Sequence, residues 1–204
     1  MTYNQTHPYV ITLKSQDPHL HHLFELVPEV TVQYADNDFH FLVFSIIGQQ
    51  LSTKVVTILY QRLEDHLKEI LPETISNASF DALRALGLSK QKITYIKNLA
   101  TYFMTSRSYF NTLSSNEKTQ ALLSIKGIGP WTVDMYKMFV LREDNHFSYG
   151  DLGLIRALEH VYQKPIKTPE DIKKATKRWS PYQSIVCHFL WKYWDEVHKG
   201  KIKD

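Results

Sequence analysis

Two glycines one residue apart stand between apolar-periodic segments in Leu122-Leu123-Ser124-Ile125-Lys126-Gly127-Ile128-Gly129-Pro130-Trp131-Thr132-Val133. Both glycines allow positive φ and leave the turn backbone bare of side chains. Pro130 suits the first position of a following helix. Amides at such a turn and helix start suit an anion such as a phosphate, and Lys126 adds a positive charge beside them. A plain helix–helix connector would use the same residues. Further along, Phe147-Ser148-Tyr149-Gly150-Asp151-Leu152-Gly153-Leu154-Ile155-Arg156 places one carboxylate, Asp151, where a helix begins. An aspartate there either caps the helix or holds a fixed negative charge for chemistry.

These residues need helices to hold them, and the sequence supplies helical punctuation throughout. Val55, Leu59, Leu63 and Leu67 recur at four-residue steps, the pattern of an amphipathic helix. Ser79 caps a short helix that Gly87 closes, and Ser114 with Glu117 has capping-box spacing. Thr168-Pro169-Glu170-Asp171 sets out a cap, a first-turn proline and two acids, and Ser180-Pro181 repeats the device. The expected helices lie near 17–26, 39–47, 52–70, 79–86, 89–105, 116–124, 131–142, 151–162, 169–177 and 181–198. Strand signals are confined to Val10-Ile11-Thr12-Leu13 and Val30-Thr31-Val32. The fold class is therefore all-α.

Composition narrows the chemistry. A single cysteine, Cys187, excludes a disulfide framework, a multi-cysteine zinc site and an iron–sulfur cluster. No apolar run reaches the roughly 18 residues of a membrane span, and the N-terminus lacks the basic start and apolar run of a signal peptide. A net charge of +3 permits a polyanionic partner without requiring one.

Taken together, the hairpin, the Trp131-Thr132 pair, the following helix and Asp151-Leu152-Gly153-Leu154 resemble the helix–hairpin–helix DNA glycosylases, in the alkylated-base branch of 3-methyladenine DNA glycosylase II. Ile46-Ile47-Gly48-Gln49-Gln50-Leu51-Ser52 is similar to that branch's upstream signature. Arg178-Trp179-Ser180-Pro181-Tyr182-Gln183-Ser184 ahead of Leu190-Trp191 is similar to its C-terminal one. The resemblance runs from about residue 39 to residue 195 and implies two helical lobes with the active site in the cleft between them. One lobe is expected at 39–147, with the hairpin at about 116–142. The other combines 1–38 with 148–204, the compact layout without an N-terminal β domain.

The resemblance also implies roles. Asp151 takes the catalytic position: a carboxylate near C1′ stabilises the positive charge left on the sugar as the base departs, and orients or deprotonates the attacking water. It must be ionised to do so, which a helix N-terminus favours. Trp131, Trp191 and Met135 take the positions of the base pocket, where an indole face attracts a cationic purine. For Trp191, packing in an aromatic helix is the competing role. Gln49, Gln50 and Leu51 fall at the wedge that fills the gap left by a flipped nucleotide. Gln50 stands at the wedge itself, a helix-capping amide pair is the alternative, and Leu51 reads as core. Lys126, Gly127, Ile128, Gly129 and Thr132 would hold a phosphate. A monovalent cation, Na⁺ or K⁺, is a candidate at the carbonyls of Leu123, Ile125 and Ile128, and no other cofactor is implied.

Relatives that also cleave the strand carry a lysine at the position of Trp131. An indole cannot form their Schiff base, so the expectation is a monofunctional enzyme without lyase activity. Three departures stand out: Ser148-Tyr149 in place of a proline, Gln183 in place of an arginine, and Met135 in place of a pocket tyrosine. Expected partners are damaged double-stranded DNA and no membrane, with the protein monomeric and located with DNA, in the cytoplasm of a bacterium or the nucleus of a eukaryote. Two rivals remain open at this point. One is a glycosylase for oxidised or deaminated bases, the other a non-catalytic helix–hairpin–helix DNA-binding module.

Overall fold

The computed structural model describes residues 1–166 and 168–202. In chain order the elements are β1 (Thr2–Asn4), α1 (Pro8–Gln16), α2 (His19–Leu26), β2 (Glu29–Thr31), α3 (Asp38–Gly48) and α4 (Thr53–Leu67). Then come α5 (Pro72–Asn77), α6 (Phe80–Ala85), α7 (Lys90–Thr112), α8 (Ser115–Leu123) and α9 (Pro130–Phe139). The last are α10 (Leu152–Tyr162), α11 (Pro169–Thr176), a 3-10 turn (Lys177–Trp179) and α12 (Gln183–His198). The all-α expectation is met: the two strands form one short antiparallel ladder, pairing Thr2 with Thr31, Tyr3 with Val30 and Asn4 with Glu29.

The caps expected at Ser79, Ser114, Thr168 and Gly87 are in place, whereas Ser180-Pro181 does not open α12, which starts at Gln183 behind Tyr182 with no side-chain cap. Ser79 accepts from the Ala82 N–H at 3.1 Å, and Ser114 and Glu117 form their reciprocal box. Thr168 and Asp171 do the same, and Gly87 closes α6 at φ 98°. Several expectations are corrected. Val10-Ile11-Thr12-Leu13 is helical, because His7 caps α1 by accepting from the Tyr9 N–H and Pro8 opens it, which buries Val10 and Leu13 on one face. Helix α5 was not expected, although Leu71-Pro72-Glu73 opens it with a first-turn proline and acid. Helix α7 runs on past residue 105 because Phe103 and Phe110, two turns apart, are both buried with ring centroids 5.1 Å apart. Helix α4 stops at Leu67, where Lys68 turns left-handed at φ 67°. Its buried stripe starts at Val56, and Val55 faces solvent.

The chain divides into two compact units, Ala35–Tyr136 on one hand, and Met1–Tyr34 with the chain from Lys137 onward on the other. In the first, α7 is the central helix, packed against α3, α5 and α6, and α4 lies on α3. Its core includes Leu42, Ile46, Leu63, Ile75, Leu83, Ile96 and Leu99, all fully buried. Lys97 on α7 donates to the carbonyls of Ile75, Ser76 and Ala78 at 3.1, 2.9 and 2.7 Å. A side-chain ammonium thus serves the C-terminal carbonyls that α5 cannot satisfy itself.

In the second unit α10, α12 and α2 pack on one another around Leu20, Leu23, Phe24, Leu154, Leu158 and Phe189. Phe24 and Phe189 meet edge to face at 4.7 Å. A polar node ties the start of α2 to this packing. Asp17 is fully buried and accepts from Trp179 Nε1 at 2.8 Å, from the His19 N–H at 3.1 Å and from the Tyr162 hydroxyl, with the Arg178 guanidinium 3.9 Å away. Burial first, then the Asp17 carboxylate, holds the Tyr162 hydroxyl above its ordinary pKa, so it stays a donor. Arg178 and Trp179 of the C-terminal signature therefore serve the fold.

Candidate active site

Asp151 lies at the N-cap of α10, and its Oδ1 accepts from the Leu154 N–H at 2.9 Å. Its own N–H donates to the Ser148 carbonyl at 3.2 Å. The capping role is thus realised, and it fixes the carboxylate in one orientation with 9% of the residue exposed. The loop leading to it is clamped from α12. The Ser184 hydroxyl accepts from the His146 N–H at 3.1 Å and faces the Glu143 and His146 carbonyls. Phe147 beside this clamp is buried against Trp179, with centroids 6.0 Å apart. Leu152, the residue after Asp151, is 75% exposed, a large apolar side chain left in solvent beside the carboxylate.

The same unit brings Trp191 to Asp151, with Gly153 as the joint. A Cβ on Gly153 would lie 3.1 Å from Asp151 Oδ1, 3.9 Å from Trp191 Cδ1 and 4.0 Å from Trp194 Cδ1. A side chain at this position would crowd the carboxylate, while the indole edge stands at ordinary contact distance. Trp191 stacks on Phe139, with centroids 6.0 Å apart and planes 23° apart, and it is neither fully buried nor fully exposed. Phe139 and His188, which completes this aromatic group at 5.8 Å from Trp191, were not singled out from sequence. The spacing of His188 and Trp191, one turn apart on α12, was the available signal.

The hairpin belongs to the other unit. Gly127 adopts φ 113°, and a Cβ there would fall 2.2 Å from the Tyr95 ring, so two independent constraints demand glycine. Gly129 does not use positive φ, contrary to expectation, and nothing lies within 4 Å of its would-be Cβ. It keeps the turn open without relieving strain. Ile128 N–H donates to Ile125 carbonyl at 3.0 Å, while among the described residues no backbone carbonyl accepts the N–H of Gly127 or Gly129. Lys126 is exposed and its carbonyl is held by the Asn98 amide at 3.1 Å. Thr132 is buried at 2% exposure, which leaves its backbone N–H in the first turn of α9, and not its hydroxyl, for an anion.

Gln49 and Gln50 part company. Gln49 ends α3 and its amide donates to the Gly127 carbonyl at 2.9 Å, so it braces the hairpin. Gln50 is exposed in the left-handed region at φ 60°, the conformation that lifts a side chain off the helix end. Leu51, read as core, is 39% exposed instead, because the chain leaves α3 here before α4 begins. Lys92, missed from sequence, donates to the Ile47 carbonyl at 2.6 Å in the last turn of α3, and burial lowers its pKa. Trp131 is 39% exposed and Met135 is 6% exposed, both on α9. Among the described residues no group of three His, Cys, Asp or Glu gathers as a metal site, and Cys187 is buried.

Known proteins bear on this arrangement. "DNA-3-methyladenine glycosylase 1" of Schizosaccharomyces pombe is 28% identical over 159 residues, covering 74% of this chain and 70% of that protein. "DNA-3-methyladenine glycosylase 2" of Escherichia coli is 24% identical over 154 residues, covering 74% of this chain and 52% of that protein. The solved DNA-3-methyladenine glycosidase of Bacillus halodurans superposes with a TM-score of 0.82 at 31% identity, covering 98% of this chain and 94% of its own. Residues 43–181, which run from α3 through the hairpin and Asp151 into the C-terminal signature, match the model of the HhH-GPD superfamily base excision DNA repair proteins, and the chain belongs to that family.

Proposed function

We propose that the protein is a monofunctional DNA glycosylase of base excision repair, which flips alkylated purines of the 3-methyladenine and 7-methylguanine type out of duplex DNA and hydrolyses their N-glycosidic bond. The observation that carries this reading is Asp151, locked by the Leu154 N–H at 2.9 Å in a chain of this family. A glycosidic bond inside a duplex is out of reach until the nucleotide is turned out of the stack. As the base leaves, positive charge develops at C1′, and a carboxylate whose orientation is already paid for stabilises it without reorganisation. The same group orients or deprotonates the attacking water. Trp131 and Trp191 would receive the base, whose positive charge favours an indole face by about 1–2 kcal/mol once desolvated.

Backbone N–H groups of Gly127, Ile128 and Gly129, with Lys126, would hold a phosphate, and such contacts position DNA without reading its sequence. Exposed Gln50 would fill the space of the flipped nucleotide. The carbonyls of Leu123, Ile125 and Ile128 are hard, uncharged oxygens of the kind that suits Na⁺ or K⁺. Ile125 carbonyl already accepts one N–H, and a carbonyl has a second lone pair to offer. Trp131, in the place of a Schiff-base lysine, makes water the acceptor of the sugar. Base release should therefore leave an intact abasic strand, and a borohydride-trapped covalent adduct would contradict this.

A non-catalytic DNA-binding module would also keep the cap bond of Asp151. Asp151→Asn separates the two, because asparagine caps a helix as well as aspartate does. On duplexes carrying 7-methylguanine or hypoxanthine, with abasic sites revealed by alkali, the variant should lose about a thousandfold in excision rate while folding and DNA binding persist. A wild-type protein that binds these duplexes and one carrying 8-oxoguanine, and releases base from none of them, is the module.

A further inference from the structure

Beside Trp191, on the side of the second unit formed by β2, lies a cavity of about 450 Å³ whose lining includes Val30, Val32, Gln33, Phe139, His188 and Trp191. That volume falls within the roughly 300–1,000 Å³ of small-molecule sites. Its aromatic wall is ordered: Phe139 and Trp191 stack, and His188 meets Phe139 edge-on at 5.2 Å. His188 is 7% exposed, and its Nε2 is buried with no hydrogen-bond partner. A buried polar atom without a partner costs stability, and apolar residues of similar shape would avoid that cost. Every neighbouring position on this stretch of α12 is filled by an apolar or small side chain, from Ile185 through Cys187 to Leu190, so the fold alone gives no reason for an imidazole.

We infer that His188 is a specificity-determining residue of the glycosylase, giving the pocket beside Trp191 a hydrogen-bonding group that an extruded nucleobase, and not the protein, satisfies. Phe139 and Trp191 stack on each other and give the cavity a flat aromatic wall against which a planar heterocycle can lie, and Trp191, like Asp151, lies beside Gly153. Burial pushes the imidazole down to about 4, so it is uncharged near neutral pH and does not repel a cationic purine. A neutral imidazole carries one donor and one acceptor and discriminates bases by their polar edges.

The inference rests on the glycosylase reading, and His188→Phe with His188→Gln tests it separately. Thermal melting, excision of 7-methylguanine and hypoxanthine from duplex DNA, and quenching of tryptophan fluorescence by free 3-methyladenine are measured on the full chain. The phenylalanine variant should melt at or above the wild-type temperature, yet lose at least about tenfold in free-base affinity and change the ratio of the two excision rates by a similar factor. The glutamine variant, which keeps a donor and an acceptor, should retain most of both. Variants that melt lower but bind and excise with wild-type ratios would make His188 a packing residue and overturn the inference. If the phenylalanine variant does not fold, His188→Leu takes its place: altered ratios in the leucine variant with wild-type ratios in the glutamine variant support the inference, and wild-type ratios in both, or equal defects in both, overturn it. Wild-type protein that excises neither base sinks the glycosylase reading itself, whereas wild-type excision with unchanged variant ratios sinks only His188.

Discussion

The carboxylate of Asp151 lies close over residue 153 because that residue has no side chain, and Trp191 borders the same point. Gly153→Ala would place a methyl group 3.1 Å from Asp151 Oδ1, closer than such contacts normally come, and the carboxylate must give way. Alanine is the better helix former by roughly 0.5–1 kcal/mol, so the melting temperature should hold or rise. Excision should nonetheless fall by about tenfold, because a misplaced charge loses preorganisation. Calorimetry beside single-turnover kinetics reads the two effects apart. Asp17 makes the opposite case, since its surroundings are wholly structural. Asp17→Ala strands the buried Trp179 N–H and Tyr162 hydroxyl and removes the ion pair of the solvent-exposed Arg178. Denaturant unfolding should show a loss of about 3 kcal/mol. Asp151 stood out in the sequence because a motif surrounds it. Asp17 did not, for its partners come from residues 162, 178 and 179, far along the chain.

At the scale of elements, the hairpin separates two duties that its sequence presents alike. Gly127 is required by the fold, through its φ of 113° and the Tyr95 ring at 2.2 Å from a would-be Cβ, while Gly129 has open space around it. Gly127→Ala should therefore cost about 2–3 kcal/mol of stability in urea unfolding. Gly129→Ala should stay within about 0.5 kcal/mol of wild type and weaken binding to an abasic-site duplex by about tenfold, as its methyl group would stand where a phosphate oxygen approaches. Helix existence was legible wherever a cap and an apolar period coincided, as at Ser79, Ser114 and Thr168. It was not legible where tertiary contacts decide. The last turns of α7 exist because Phe110 reaches Phe103, and α1 overrides an apolar run that reads equally well as strand. For the candidate site, the hairpin could be read from its glycines and their spacing, and the carboxylate through the family resemblance of the motifs around it. The bracing amide of Gln49, the Lys92 ammonium on the end of α3 and the Ser184 clamp could not, because each is a side chain meeting a backbone group of a distant segment.

For the molecule as a whole, the proposed duties fall to different units: the hairpin, proposed to hold a phosphate, belongs to one, and Asp151, proposed to carry the chemistry, to the other. Binding and chemistry should accordingly respond to different variables. Phosphate contacts release counterions, so duplex affinity should fall steeply between low and physiological salt in filter-binding or anisotropy titrations. The single-turnover rate of the bound complex should change little, because the Asp151 carboxylate is largely shielded from solvent. The most direct measurement is single-turnover excision of 7-methylguanine from duplex DNA by the wild-type chain and by Asp151→Asn at equal saturation. Release of free base with an intact abasic strand by the wild type, and a loss of about a thousandfold in the variant with binding retained, is the expected result. Equal rates in the two proteins, or no release by either at saturating binding, would contradict the assignment of Asp151 as the group that carries the reaction.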